Sequence, residues 1–272
     1  MFRVGKMAGL SSYDRKQAEL SLSTTTIAPM SLDPILLIGG FGSHWSDYKP
    51  GARMLSHVSG RRVFIVSINR LSWLVGGFVD YSLMLTRVHN AVQHALQQTG
   101  TERIMLVGHS AGGVIGRAYL GGKRMRPHQP TYSGHEHVTR LVTLGSPLRA
   151  VDGSSRPGVS HAAWVDRNYP GAFYPKVQYL TVSGRLIEGK SNGSPRQRAA
   201  YTSYAWISTT GEQWGDGVVP LSLSTLDSTP SLVLHGIGHS PNWGRWFFST
   251  PAIVRSWWNY FDLGDAPTGV NA

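Results

Sequence analysis

The chain has 272 residues, 41% of them hydrophobic, which excludes a largely disordered protein and suits one large α/β domain. It has no cysteine, which excludes disulfides, cysteine nucleophiles and thiolate metal sites. Its 26 Lys and Arg against 15 Asp and Glu leave a net charge of +11. The cations are scattered, the densest group being Arg117, Lys123, Arg124 and Arg126, with neither zinc-finger spacing nor a long basic run. No nucleic-acid partner is therefore expected, and the charge fits a solvated face or a peripheral contact with an anionic membrane surface.

In chain order, residues 1–32 are polar and Ser/Thr-rich and read as a flexible leader. They lack the continuous apolar core of a signal peptide, so the expected location is cytoplasmic, with a place at the periphery of a membrane. Residues 33–265 read as a single domain and 266–272 as a tail. Pro34 to Ile38 and Val63 to Ile68 are apolar runs. Leu71 to Leu85 is also apolar but is broken by Asp80, so it is too short to span a bilayer and reads as an interfacial cap. Asp80 to Gln98 carries Leu85, Val88, Val92 and Leu96 at helical spacing, with Gly100 where a C-cap belongs.

Four more apolar runs follow at Ile104 to Val107, Leu141 to Leu144, Val177 to Val182 and Leu232 to Leu234. Residues 150–175 and 186–200 read as irregular loops, and Thr250-Pro251 opens a last helix with Val254, Trp257, Trp258 and Phe261 on one face. Runs apolar throughout are what strands buried on both faces look like. Interleaved with helices, they predict an α/β fold with a mostly parallel central sheet, helices on both faces, and a lid or cap from loop insertions.

The most informative stretch is Arg103 to Gly113, RIMLVGHSAGG. Gly108-His109-Ser110-Ala111-Gly112 matches G-x-S-x-G, with an apolar strand before it and a Gly-rich helical segment after it. That context is a strand-to-helix elbow that exposes the Ser110 hydroxyl above the sheet. A serine hydroxyl needs a base, and the base needs an orienting carboxylate. The base candidates are His239, in the Gly-rich loop after LVLHGIGHS begins, and His235, which closes that strand. His239 is preferred because it lies beyond the strand end.

The carboxylates between nucleophile and base are Glu136, Asp152, Asp166, Glu188, Glu212, Asp216 and Asp227. Asp216, between two glycines and anchored by Val218-Val219-Pro220, is preferred over its main rival Asp152. Backbone N–H groups of Ala111 and Phe41 are the expected oxyanion donors, the latter in the Gly39-Gly40-Phe41-Gly42-Ser43 loop. That loop is neither G-x-G-x-x-G nor followed by a P-loop lysine, so no nucleotide is expected. Gly40, His109 and Trp214 are expected to contact substrate. Phe41, Trp45, Trp73, Phe78, Trp164, Trp206 and Trp243 also crowd the expected mouth, favouring a small-molecule or lipid ester with an apolar chain.

PILLIGGFG, RIMLVGHSAGG, LVTLGSP, GDGVVPL and LVLHGIGHS together resemble the α/β-hydrolase superfamily, in its lipase and esterase branch with the PGAP1-like hydrolases. The resemblance runs from about residue 33 to 262 in the family's order of oxyanion loop, nucleophile, acid and histidine. It implies carboxylic ester hydrolysis by a Ser-Asp-His triad through an acyl-enzyme, with no cofactor and no metal. Thioesterase, amidase or acyltransferase chemistry on the same triad, or a non-catalytic binding protein of this fold, are the alternatives. Two departures stand out: many relatives have His-Gly where this chain has Gly39-Gly40, and the segment before Asp216 is long.

Overall fold

A computed structural model of the chain describes residues 32–149, 159–245 and 247–263. The expected leader, apart from Leu32, the tail at 266–272 and the rival carboxylate Asp152 lie outside the described residues. The strands are β1 (Ile35–Ile38), β2 (Val63–Ile65), β3 (Ile104–His109), β4 (Val138–Leu144), β5 (Gln178–Arg185), β6 (Ile187–Glu188), β7 (Trp214–Gly215) and β8 (Ser231–His235). The helices are α1 (Lys49–Ser59), α2 (Arg70–Val79), α3 (Ser82–Thr99), α4 (Ala111–Leu120), α5 (Val159–Asn168), α6 (Pro195–Ile207) and α7 (Pro251–Leu263).

Six strands form one sheet in the order β2-β1-β3-β4-β5-β8, and every neighbouring pair is parallel. β6 and β7 form a separate antiparallel pair. Because strand side chains alternate in direction, the apolar runs feed two cores. Leu36, Ile38, Ile104 and Leu106 pack with Val88 and Val92 of α3, Val114 and Ile115 of α4 and Val165 of α5. Ile35, Met105 and Val107 pack on the opposite face with Leu55 of α1 and Val254, Trp257 and Trp258 of α7. Burying each such side chain contributes about 1.5–3 kcal/mol before ordering costs. The mostly parallel sheet with helices on both faces is what the apolar runs predict.

Several elements differ from the sequence expectation. β2 stops at Ile65: Val66 still donates to the Leu37 carbonyl, but the Ile68 N–H then turns back onto the Val66 carbonyl at 2.8 Å. The expected helix at Asp80 to Gln98 begins instead at Ser82, because Asp80 is extended and its carboxylate accepts the Ser82 N–H. The segment read as an interfacial cap is thus α2 followed by the start of α3. Residues 159–168 form α5 where a loop is expected. α6 begins inside the second expected loop, with a capping box between Ser194 and Gln197. β8 alternates exposed and buried side chains, because it is an edge strand of the sheet.

Arg117 does not belong to a basic surface patch. It is buried, and its guanidinium donates to the carbonyls of Leu148 and Tyr169, both at 2.6 Å. Among the described residues, no helix is long and apolar enough to cross a membrane.

Candidate active site

Ser110 joins β3 to α4 at the carboxyl end of a central strand, where open α/β sheets bind their ligands. Its backbone sits at φ 54°, ψ −128°, a conformation that costs a non-glycine residue about 1–3 kcal/mol. The surroundings enforce it. The Ser110 N–H donates to the Leu144 carbonyl at 2.9 Å, and the Gly113 N–H donates to the Ser110 carbonyl at 3.1 Å. The flanking glycines let the backbones meet: a Cβ on Gly108 would lie 2.5 Å from Gly113, and one on Gly112 would lie 2.2 Å from the Ile38 carbonyl oxygen. Ala111 opens α4, so its N–H is among the four that a helix leaves without an intrahelical acceptor. The positive end of the helix dipole lies at the same point.

Asp216 is buried in the turn after β7 and fully committed. Oδ1 accepts the N–H groups of Val218 and Val219 at 2.9 and 2.7 Å. Oδ2 lies 2.7 Å from His239 Nδ1. The His239 N–H also donates to the Asp216 carbonyl at 2.9 Å, so backbone and side chain both tie the base loop to the acid turn. With Nδ1–H given to the carboxylate, Nε2 is left as the basic nitrogen. Among the described residues the Ser110 hydroxyl has no hydrogen bond to His239. His109, the residue before Ser110, has its ring centroid 4.7 Å from that of His239.

The loop after β1 presses on Ser110. A Cβ on Gly40 would lie 2.7 Å from Ser110 Cβ. Phe41, 57% exposed, packs edge-on against Trp73 with ring centroids 5.6 Å apart. Ser110 and Ala111 open into a cavity of about 420 Å³, within the range of small-molecule sites. Its walls come from Phe41, Trp73 and Tyr81, from Val114 of α4, from Val159 and Ala162 of α5, from Ser203, Trp206 and Ile207 of α6, and from Pro147, Arg149, Val218, Val219 and Leu223. Among the described residues, no group of three or more His, Asp and Glu converges to hold a metal.

Residues 70–154, from α2 through the elbow and beyond β4, match a family model described as a PGAP1-like alpha/beta domain. The product of gene lin2722 from Listeria innocua is 15% identical, with a TM-score of 0.52 over 87% of this chain and 96% of that one. The chain has the α/β-hydrolase fold. An alpha-beta serine hydrolase homologue from Coxiella burnetii is 14% identical over 87% of this chain and 86% of its own, with a TM-score of 0.47. A monoacylglycerol lipase from Paleococcus ferrophilus is 12% identical over 79% and 91%, with a TM-score of 0.42. No curated protein matches the chain by sequence.

Within this α/β-hydrolase fold, Ser110, Ala111 and Phe41 meet at the cavity, and Asp216, bonded to Val218 and Val219 of its wall, also bonds His239. His235 lies on the exposed side of β8, paired with Arg185 across the sheet, which separates it from this cluster. The three expected substrate contacts need correction. Trp214 does not line the cavity; its ring packs under the Arg185 guanidinium at 3.9 Å. Gly40 backs Ser110, and His109 turns towards Tyr48 and the His239 backbone, so neither lines the cavity. Of the other aromatics expected at the mouth, Phe41, Trp73 and Trp206 line it. Trp45 lies under Lys49, Trp164 packs on Tyr169, and Trp243 fills the space beside Gly217, whose φ is 101°. The Phe78 side chain lies outside the described residues.

Sequence reasoning leaves out Tyr204 and Ser203 of α6. The Tyr204 hydroxyl accepts the Gly217 N–H at 2.8 Å and donates to the Ile187 carbonyl at 3.2 Å. The Ser203 hydroxyl donates to the Val218 carbonyl at 3.0 Å. Both therefore brace the acid turn. The Ser194-Pro195-Arg196-Gln197 capping signature marks α6, but no local signal places Asp216 against it.

Proposed function

We propose that the chain is a serine hydrolase that cleaves a carboxylic ester with an apolar chain. One observation carries the reading: the strained Ser110 elbow opens on an apolar cavity, and Val218 and Val219 of the same wall bond the Asp216 carboxylate that meets His239 Nδ1 at 2.7 Å. In this mechanism Ser110 rotates to give its proton to His239 Nε2 as Oγ attacks the ester carbonyl carbon. The resulting oxyanion receives the N–H groups of Ala111 and Phe41. Asp216 stabilises the imidazolium without taking its proton. The tetrahedral species collapses, the C–O bond to the alcohol breaks, and His239 returns the proton to the departing oxygen. Water, deprotonated by His239, attacks the acyl-enzyme and releases the acid by the same route.

The cavity lining favours a hydrocarbon chain, since most of its wall is aliphatic or aromatic. A lipid surface as the source of substrate is supported by the net charge of +11 and by exposed Phe41, Trp206, Leu71 and Leu74. Phe41 and Trp206 line the cavity, and the two leucines share α2 with Trp73. The test is fluorophosphonate labelling and hydrolysis of p-nitrophenyl esters of increasing chain length, by wild type and by Ser110→Ala. Labelling that vanishes in Ser110→Ala, with a preference for longer chains, supports the reading. A wild type that neither labels nor hydrolyses overturns it.

A further inference from the structure

A chain of hydrogen bonds runs behind the three loops of the site. The Gly40 N–H donates to the Tyr48 hydroxyl oxygen at 2.7 Å. Tyr48 Oη and His109 Nδ1 are 2.8 Å apart, and His109 Nε2 is 3.0 Å from the His239 carbonyl oxygen. A carbonyl only accepts, so the last contact is a bond only when Nε2 carries the proton. Burial, with the neighbouring His239 ring as a second cause, pushes the His109 imidazole down to about 3, so the ring is neutral at ordinary pH. Nδ1 is then a bare acceptor, and Tyr48 must donate to it. The direction is set throughout: Gly40 N–H to Tyr48 O–H, Tyr48 O–H to His109 Nδ1, and His109 Nε2–H to the His239 carbonyl.

We propose that Tyr48 and His109 are positioning residues, which hold the oxyanion turn and the base loop at fixed distances from Ser110. The proposal rests on the serine-hydrolase reading of Ser110 and His239. The links reach far along the chain, 61 residues from Tyr48 to His109 and 130 from His109 to His239. Their hub, His109, is the last residue of β3 and the immediate neighbour of Ser110. At one end, Gly40 leads directly into Phe41, whose N–H the mechanism uses. The Tyr48 ring is wedged against the turn: a Cβ on Gly39 would lie 2.5 Å from it. At the other end, Asp216 holds the His239 ring and His109 holds the carbonyl, so the base is fixed from two sides. Among the described residues, Tyr48, His239 and Phe248 are the rings that pack on His109, and no carboxylate bonds to it.

Tyr48→Phe removes one oxygen and keeps the ring, so it tests the chain without opening a cavity. Two kinetic readouts apply: the fluorophosphonate labelling rate, and kcat and KM on p-nitrophenyl butyrate. A misplacement of catalytic groups by a fraction of an ångström lowers kcat and labelling roughly 10- to 100-fold and leaves KM near wild type, while the melting temperature falls because the Gly40 N–H loses its acceptor. His109→Gln keeps a donor and an acceptor and is expected to retain more activity than His109→Leu. Nitrogen-15 spectra, assigned against His109→Gln, are expected to give a neutral Nε2–H tautomer for His109 between about pH 5 and pH 8.

Wild-type rates in Tyr48→Phe, equal losses in His109→Gln and His109→Leu, or an Nδ1–H tautomer overturn the proposal. The two readings fail differently. If wild type labels and Tyr48→Phe matches it, only the positioning role falls. If wild type does not label although the tautomer is as expected, the hydrolase reading falls and takes the positioning role with it.

Discussion

Asp216→Asn tests the acid with the smallest change of shape. The side chain meets two backbone donors at Oδ1, from Val218 and Val219, and one imidazole donor at Oδ2. An asparagine has one oxygen for these three donors. Turning its NH2 towards Val218 and Val219 would set donors against donors and strand two N–H groups, at about 1–3 kcal/mol each. The amide oxygen therefore stays with the backbone pair and the NH2 faces His239. It then donates to Nδ1 and forces the proton onto Nε2, the nitrogen that must receive the Ser110 proton. A wrong tautomer of this kind lowers kcat by about 10⁴, equivalent to roughly 5.5 kcal/mol of barrier. The fold keeps the three contacts, but each loses the carboxylate charge, at about 1 kcal/mol apiece. The assay is kcat on p-nitrophenyl butyrate, normalised to folded protein by circular dichroism and urea midpoint. If the folded variant retains more than about a tenth of wild-type kcat, Asp216 does not set the tautomer and the reasoning fails.

Ala162→Phe places a ring where Ala162 lines the cavity; it is expected to raise KM for long-chain esters far more than for acetate, and equal effects across chain lengths would separate the cavity from the acyl chain. Gly112→Ala would put a Cβ 2.2 Å from the Ile38 carbonyl oxygen, which backbone cannot evade. A loss of at least about 3 kcal/mol is expected from the urea midpoint, and a midpoint near wild type would mean that the loop after β1 yields. Burial pushes the Asp80 carboxyl up, but hydrogen bonds from Ser82 and His128 outweigh it and leave it below the ordinary carboxylate value. Its contribution is therefore present above the unfolded carboxylate value, near about 3.9, and is lost as pH falls through the lower folded value. Asp80→Asn is expected to be less stable than wild type at neutral pH and to converge with it in acid. A urea-midpoint difference that stays constant with pH would count against this.

The sharp turn at Ser110 between β3 and α4 and the sheet are legible in the sequence because their causes are local. A run such as Ile104 to Val107 is apolar because both sides of its strand are covered, and Gly108 and Gly112 are small because backbones touch there. α6 is hard to read for the opposite reason. Among its thirteen residues only Ala200 and Tyr204 are buried, so little apolar period remains, and only the capping box announces it. The cavity wall is harder still. Phe41, Ala162, Trp206 and Val219 meet through the fold, and nothing near any of them in sequence tells which aromatics turn inward. Trp214 sits two residues from Asp216, yet its ring goes to Arg185, because the short β6–β7 pair turns it that way. Tyr48 carries no motif, and its place depends on a contact with a strand end 61 residues away.

One turn and a half of α6 divides its labour by residue. Trp206 and Ile207 line the cavity, Tyr204 bonds the turn that holds Asp216, and Ser203 does both. On the proposed hydrolase reading, substrate preference and catalytic alignment are therefore written on adjacent letters of one helix. A change at 206 or 207 alters the cavity wall, whereas a change at 203 or 204 also disturbs the turn that carries the carboxylate. The same rule applies at the bench: libraries for new substrates belong at 162, 206 and 207, and saturating 203 or 204 mixes lost alignment with altered preference.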